Sequence, residues 1–107
     1  MIARIWSARA THNNWPAYER HFTENVLQEL RTVDGYVSSN LLKREAGPQI
    51  EITVITFWNS WEAIAAFAGS DRDAAVVAPG AAALLIDYDR IVEHYEVAAS
   101  DSAVSNH

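Results

Sequence analysis

An α+β fold, one antiparallel sheet with its helices packed on a single face, is predicted by three observations. The first is the stretch IEITVITFWNSWEAIAAFAG at residues 50–69, where the apolar period changes from two to helical at Ser60. Ile50, Ile52, Val54 and Trp58 share one strand face, and Thr53, Ile55 and Phe57 share the other. The second is the series Trp15, Tyr18, Phe22, Val26, Leu30 and Val33, an apolar stripe opposite Glu24, Gln28, Glu29 and Arg31. The third is that the central strand is apolar on both faces, so helices cover one face and something else must cover the other.

Taken in order, Ile2 to Thr11 reads as a strand: short, rich in Ile, Trp and Ala, without Gly or Pro. Pro16 then sits in a first helical turn, where its missing N–H is harmless, and the stripe predicts a surface helix of about 17 to 19 residues. Asp34-Gly35 breaks it. Residues 36–45 form a second strand, and Ala46-Gly47-Pro48 turns the chain into the central one. Ser60 is a good N-cap, Glu62 favours the positive helix end, and Trp61, Ile64, Phe67 and Ala68 recur at helical spacing until Gly69. Ser70 is expected to cap a short turn through residue 77, Pro79 to restart a helix near residues 81–86, residues 87–90 to loop, and residues 91–98 to form the last strand. The order β-α-β-β-α-β is the ferredoxin-like arrangement, with a four-stranded antiparallel sheet. Residues 1–98 make one domain, and 99–107 are small and polar, a frayed tail. Apolar area left wet forfeits roughly 25 cal/mol per Å², so the open sheet face predicts a homodimer, sheet to sheet.

Bulk properties narrow the function. The 107 residues suffice for one modest core, and 50% hydrophobic residues is a globular composition. A net charge of −6, with the eight Lys and Arg scattered, argues against a nucleic-acid or anionic-membrane partner. With no cysteine there is no disulfide, thiolate ligand or Cys nucleophile, which fits a reducing, cytoplasmic setting. No apolar run approaches the ~20 residues of a membrane span. No Gly-rich phosphate loop or Gly-x-Ser-x-Gly elbow occurs, and no His, Asp and Glu spacing suggests a metal site.

The segment TFWNSWEAIAAFAGSD, a Pro-led helix after it and a closing strand ending HYEV resemble the antibiotic biosynthesis monooxygenase family of dimeric α+β barrels. Its Trp-x-Ser junction corresponds to Trp58-Asn59-Ser60, followed by Ala63, Phe67, Gly69 and Asp71, and the likeness runs over about residues 1–98. The resemblance implies a cavity in each protomer. It also implies either cofactor-free oxidation of polycyclic phenols to quinones or haem degradation. Val54 and Ile64 stand where the quinone-forming branch has an Asn and an aromatic residue. Ser7 and Val77 stand near the Asn and His of the haem-degrading branch, which disfavours haem chemistry.

His94, in the last strand, is the candidate catalytic base, since an imidazole titrating near neutrality can take a phenolic or enolic proton. A histidine so placed more commonly hydrogen-bonds across the sheet or a dimer interface. By the resemblance Trp58 faces the cavity and stacks on a planar substrate, with Val54 and Ile52 beside it; packing is an equally ordinary role for a Trp. Trp6 and Arg4 share a face of the first strand, where Arg4 is a candidate for a substrate oxyanion, although such arginines are more often solvated or paired. Two readings follow. One is a monooxygenase needing no cofactor, which abstracts a proton from a hydrophobic phenolic or polyketide-like molecule and lets the anion react with dioxygen. The other is a non-catalytic small-molecule-binding or structural dimeric barrel.

Overall fold

The computed structural model describes residues 1–103; of the expected tail, residues 104–107 lie outside the described residues. The strands are β1 (Ile2–Thr11), β2 (Tyr36–Ala46), β3 (Gln49–Trp58), β4 (Asp87–Tyr88) and β5 (Glu93–Glu96). The helices are α1 (Trp15–His21), α2 (Leu27–Leu30), α3 (Trp61–Ala68) and α4 (Pro79–Ala82), with a π-helical turn, Phe22–Val26, joining α1 to α2. The sheet is antiparallel, ordered β2-β3-β1-β4, with β5 also on β1. This is the ferredoxin-like topology, its last strand in two pieces. Among the described residues no helix is long and apolar enough to cross a membrane.

Register sets the faces. Ile2 pairs with Trp58, Arg4 with Thr56, Trp6 with Val54 and Ala8 with Ile52, so the even-numbered residues of β1 and β3 all face the helices. They are buried, apart from half-buried Trp6. Two clusters result: Ala8, Ala10, Ile50 and Ile52 meet Trp15, Tyr18 and Phe22, while Ile2 and Trp58 meet Leu30, Ala63 and Ile64. Each large apolar side chain so buried contributes ~1.5–3 kcal/mol. On the opposite face Ile5, Ile55 and Phe57 are half-buried and Leu42 and Tyr95 exposed, an apolar surface without helices.

The first helical segment departs from the straight helix that the stripe predicts, and the spacing of the stripe explains why. Tyr18, Phe22, Val26 and Leu30 step by four, so at 3.6 residues per turn they would rotate about 120° between Tyr18 and Leu30. The wider π turn, in which Leu27 N–H bonds to Phe22 C=O, absorbs most of that drift. Thr23 Oγ1 assists by donating to the Glu19 and Arg20 carbonyls at 3.1 and 3.2 Å.

The second half differs more. Residues 70–78 begin with the expected turn, at Asp71–Ala74, where Ala74 N donates to Asp71 O at 3.2 Å. Asp71 Oδ1, rather than Ser70, caps it by accepting from Asp73 N. Beyond it the chain runs as an extended strap, and α4 ends at Ala82, short of residue 86. Two of the strap's carbonyls, Arg72 and Ala74, accept from the Arg4 guanidinium. Its Ala74 bridges Ile91, so strap pairing replaces helical bonding. Residues 87–90 are not simply a loop, since β4 pairs Tyr88 with Ala8, and the last strand spans only β5. Between them the chain leaves β1 for the strap: Ala75 N donates to Arg90 O at 2.9 Å and Val92 N to Asp73 O at 2.8 Å.

α3 begins as its cap predicts, with Ser60 Oγ accepting from Ala63 N at 3.1 Å. Its approach to the sheet depends on Gly35, where φ is +94° and an added Cβ would lie 2.6 Å from Ala63 Cβ. Gly35→Ala therefore combines left-handed strain with overpacking, each ~1–3 kcal/mol. A loss of ~2–4 kcal/mol in denaturant unfolding is expected, against less than ~1 kcal/mol for Gly80→Ala, whose added Cβ meets nothing.

Candidate functional site

A cavity of about 310 Å³ lies between the helix face of the sheet and the helices. β1 provides Arg4 and Trp6 and β3 provides Val54 and Thr56; the α1–π–α2 run adds Tyr18 and Phe22, and the strap adds Val76 and Val77. The cavity exists because the small residues Ala8 and Ala10 let α1 sit close to one end of β1, whereas Arg4 and Trp6 hold the other end open. Its walls are mainly apolar and aromatic. Trp6 stacks on Tyr18 with ring centroids 6.3 Å apart, and its Nε1 donates to Asp89 O at 2.8 Å, which fixes the indole.

Arg4 brings a buried cation into that lining. Its residue is 5% exposed, and its guanidinium lies 5.8 Å from the Phe67 ring centroid. Nη1 donates to Arg72 O and towards His94 Nε2 at 3.1 Å, and Nη2 donates to Ala74 O at 2.8 Å. These bonds use three of its five N–H groups. Burial pulls the guanidinium's pKa below its ordinary value, and Asp73 offsets part of that. An arginine remains a cation at neutral pH nonetheless.

The sequence-predicted residues divide. Arg4, Trp6 and Val54 line the cavity. Ile52 and Trp58 do not: both are fully buried in the core. Trp58 Nε1 donates to Thr56 Oγ1 at 2.9 Å and its ring packs on Tyr36 and Phe67, so the indole has no free face for a planar substrate. His94 shares the helix face of the sheet with Arg4, across β1–β5, but Arg4 stands between it and the cavity. Its side chain is 6% exposed, its Nδ1 lies 3.4 Å from Asp73 Oδ1, and the edge of its ring meets Trp61. Burial, and then the neighbouring Arg4, hold its pKa below the ordinary histidine value. The ring is neutral, and its one acceptor nitrogen faces a donor.

Sequence reasoning passed over Tyr18, Thr56 and His21. Tyr18 read as one member of a core stripe, and its hydroxyl, on the cavity wall, was the only hint of another role. Burial raises its pKa, so the phenol stays protonated and can donate to a ligand. His21 and Glu29 lie at the helical side of the cavity, and His21 Nδ1 accepts from Asn25 Nδ2 at 3.2 Å. Among the described residues no group of three or more His, Cys, Asp or Glu could hold a metal ion.

No family model matches the chain, and no curated protein sequence does. Solved structures do. One is a Bacillus cereus protein provisionally named an antibiotic biosynthesis monooxygenase, 18% identical, with a TM-score of 0.68 over 98% of both chains. Another is the haem-degrader MhuD of Mycobacterium tuberculosis, with two haems bound, 19% identical, TM-score 0.68, covering 95% of this chain and 100% of that one. A third is SnoaB, a cofactor-independent oxygenase of Streptomyces nogalater, 16% identical, TM-score 0.52, covering 94% and 95%. Over nearly its whole length, the chain has the fold of the antibiotic biosynthesis monooxygenase structures.

Proposed function

We propose that the chain is an oxygenase that uses dioxygen without a bound cofactor, acting on a hydrophobic phenolic or polyketide-like molecule in the cavity between sheet and helices. The observation that carries this reading is Arg4, a buried cation with uncommitted N–H groups on the wall of a mainly apolar and aromatic cavity. A ring system would lie against Trp6, Phe22 and Phe67 with its oxygen on the guanidinium. A phenol that loses its proton near pH 10 in water ionises more readily there, because a preorganised cation in a dry site stabilises the oxyanion. The anion gives one electron to dioxygen, forming a substrate radical and superoxide. These combine in a new C–O bond, the peroxide takes a proton, and the O–O bond then breaks. Loss of a hydrogen from the same carbon leaves a carbonyl and water. The cofactor-independent oxygenase SnoaB shares the fold, which supports the reading.

Haem degradation fits the lining less well. Val77 lines the cavity where the haem-degrading branch would bring a histidine, and Ser7 lies on the opposite face of the sheet, near Thr53.

A specific observation favours a second reading, a binding module. With Arg4 occupying His94 Nε2, the strongest candidate base has no free lone pair towards the cavity. Oxygen uptake with hydroxynaphthalenes and anthrone-like phenols, in the presence of chelator, separates the two: turnover supports the oxygenase, whereas fluorescence quenching without uptake supports the binder. On either reading Arg4→Met is expected to weaken 1-hydroxy-2-naphthoate at least ~10-fold, the loss of a charge-assisted hydrogen bond worth ~1.5–3 kcal/mol, and to change naphthalene binding less than ~3-fold.

The open sheet face supports a homodimer. Ile5, Ile55, Phe57 and Leu42 share it; its charges lie mostly at one end, where Arg9 pairs with Asp87 and Arg44 with Glu51, and apolar area there is costly to leave in water. Ile55→Arg is expected to yield a folded monomer in sedimentation where the parent chain sediments as a dimer.

A further inference from the structure

We propose that His94 is a positioning residue whose neutral ring clamps Arg4 and the strap, so that the cavity is closed above neutral pH and opens as the ring takes a proton. The strap, residues 70–78, runs from Gly69, with φ of +86°, to Pro79 at the start of α4. Val76, Val77 and Ala78 form part of the cavity wall. Its ties to the sheet are few: Arg4 to the Arg72 and Ala74 carbonyls, and the backbone bonds of Ala75 and Val92.

Hydrogen-bond chemistry fixes the tautomer of His94. A guanidinium nitrogen can only donate, so at 3.1 Å from Arg4 Nη1 the Nε2 of His94 carries the lone pair. The proton then sits on Nδ1, which faces Asp73 Oδ1 at 3.4 Å. The chain Arg4–His94–Asp73 thus joins β1, β5 and the strap, each group in the one role open to it. A second proton on the ring sets two donors and two cations against each other.

The groups facing the ring confirm the sign. Arg4 approaches from β1, Arg72 and Asp73 from the strap, and the uncharged Trp61 ring from α3 at 5.1 Å. Two cations thus oppose one carboxylate, and that carboxylate is well exposed and screened. Burial adds to them, and the closed form holds the histidine pKa below its ordinary value. Once the strap lifts, the ring regains a value near 6.5. Closure is therefore fully favoured above about pH 6.5. As pH falls from there towards the lowered value, opening gains up to about tenfold per pH unit.

This inference stands on the strap's contacts and is independent of whether the cavity supports turnover. Amide hydrogen exchange between pH 5 and 7.5, corrected for intrinsic rates, tests it directly. Protection at Ala75 and Val92 is expected to fall by up to about tenfold per unit below about pH 6.5, while β3 amides stay constant. In His94→Gln, whose amide can accept from Arg4 and donate to Asp73 without titrating, protection at Ala75 and Val92 is expected to stay high and flat. A flat profile in the parent chain, an equal fall in β3, or the same slope in His94→Gln overturns the proposal.

Discussion

A guanidinium removed from water must have its donors met and its charge balanced, and Arg4 imposes that requirement on most of the second half of this chain. Its acceptors are two carbonyls of the strap and one imidazole nitrogen of β5. Beyond its opening turn the strap is extended where the sequence suggests a turn continuing to residue 77, because carbonyls that bond a guanidinium and a bridging strand are not available to turn or helical bonding. The last strand is split for a related reason, since its middle residues leave β1 to hold that strap. The cavity, its lid and the buried cation on its wall thus share one set of hydrogen bonds.

The two halves of the chain differ in what they ask of local sequence. β1, β3 and α3 follow period and capping alone: alternation at residues 50–58, Ser60 as cap, Gly69 as terminator. They were legible because each satisfies its own backbone and only the apolar face needs a partner. The topology followed from element order, whereas which face of the sheet the helices cover is decided by the observed register. Even the π turn was latent in the sequence, in a stripe stepping by four where 3.6 would hold its line. Of residues 70–92 only the turn near Asp71 and the Pro-led start of α4 were legible; the strap and the split strand were not. Their backbone partners are a side chain some seventy positions earlier and each other, and a scan of local propensity carries no term for either.

The candidate site divides along the same line. Arg4 and Trp6 were found from strand alternation plus the chemistry of an Arg beside a Trp, and Val54 from the family resemblance; all three line the cavity. Trp58 and Ile52 share that strand face, but position along the strand decides whether a residue meets helix or void, and alternation is silent about position. His94 shows the remaining gap most clearly. Its strand face was readable, whereas its protonation state and its partner depend on Arg4 and Asp73, from two other elements.

The divided last strand has a consequence at the rim of the sheet. An edge strand is a template on which another chain can add hydrogen bonds, and long flat edges invite such pairing. Here one rim carries only a two-residue and a four-residue strand, with the intervening chain turned away to the strap. The other rim, β2, is longer, but it has an irregular register between Tyr36 and Ser38 and carries Lys43, Arg44 and Glu45. The detour that roofs the cavity also denies a neighbouring molecule a continuous ladder on that rim, while the open face of the sheet stays free for face-to-face contact.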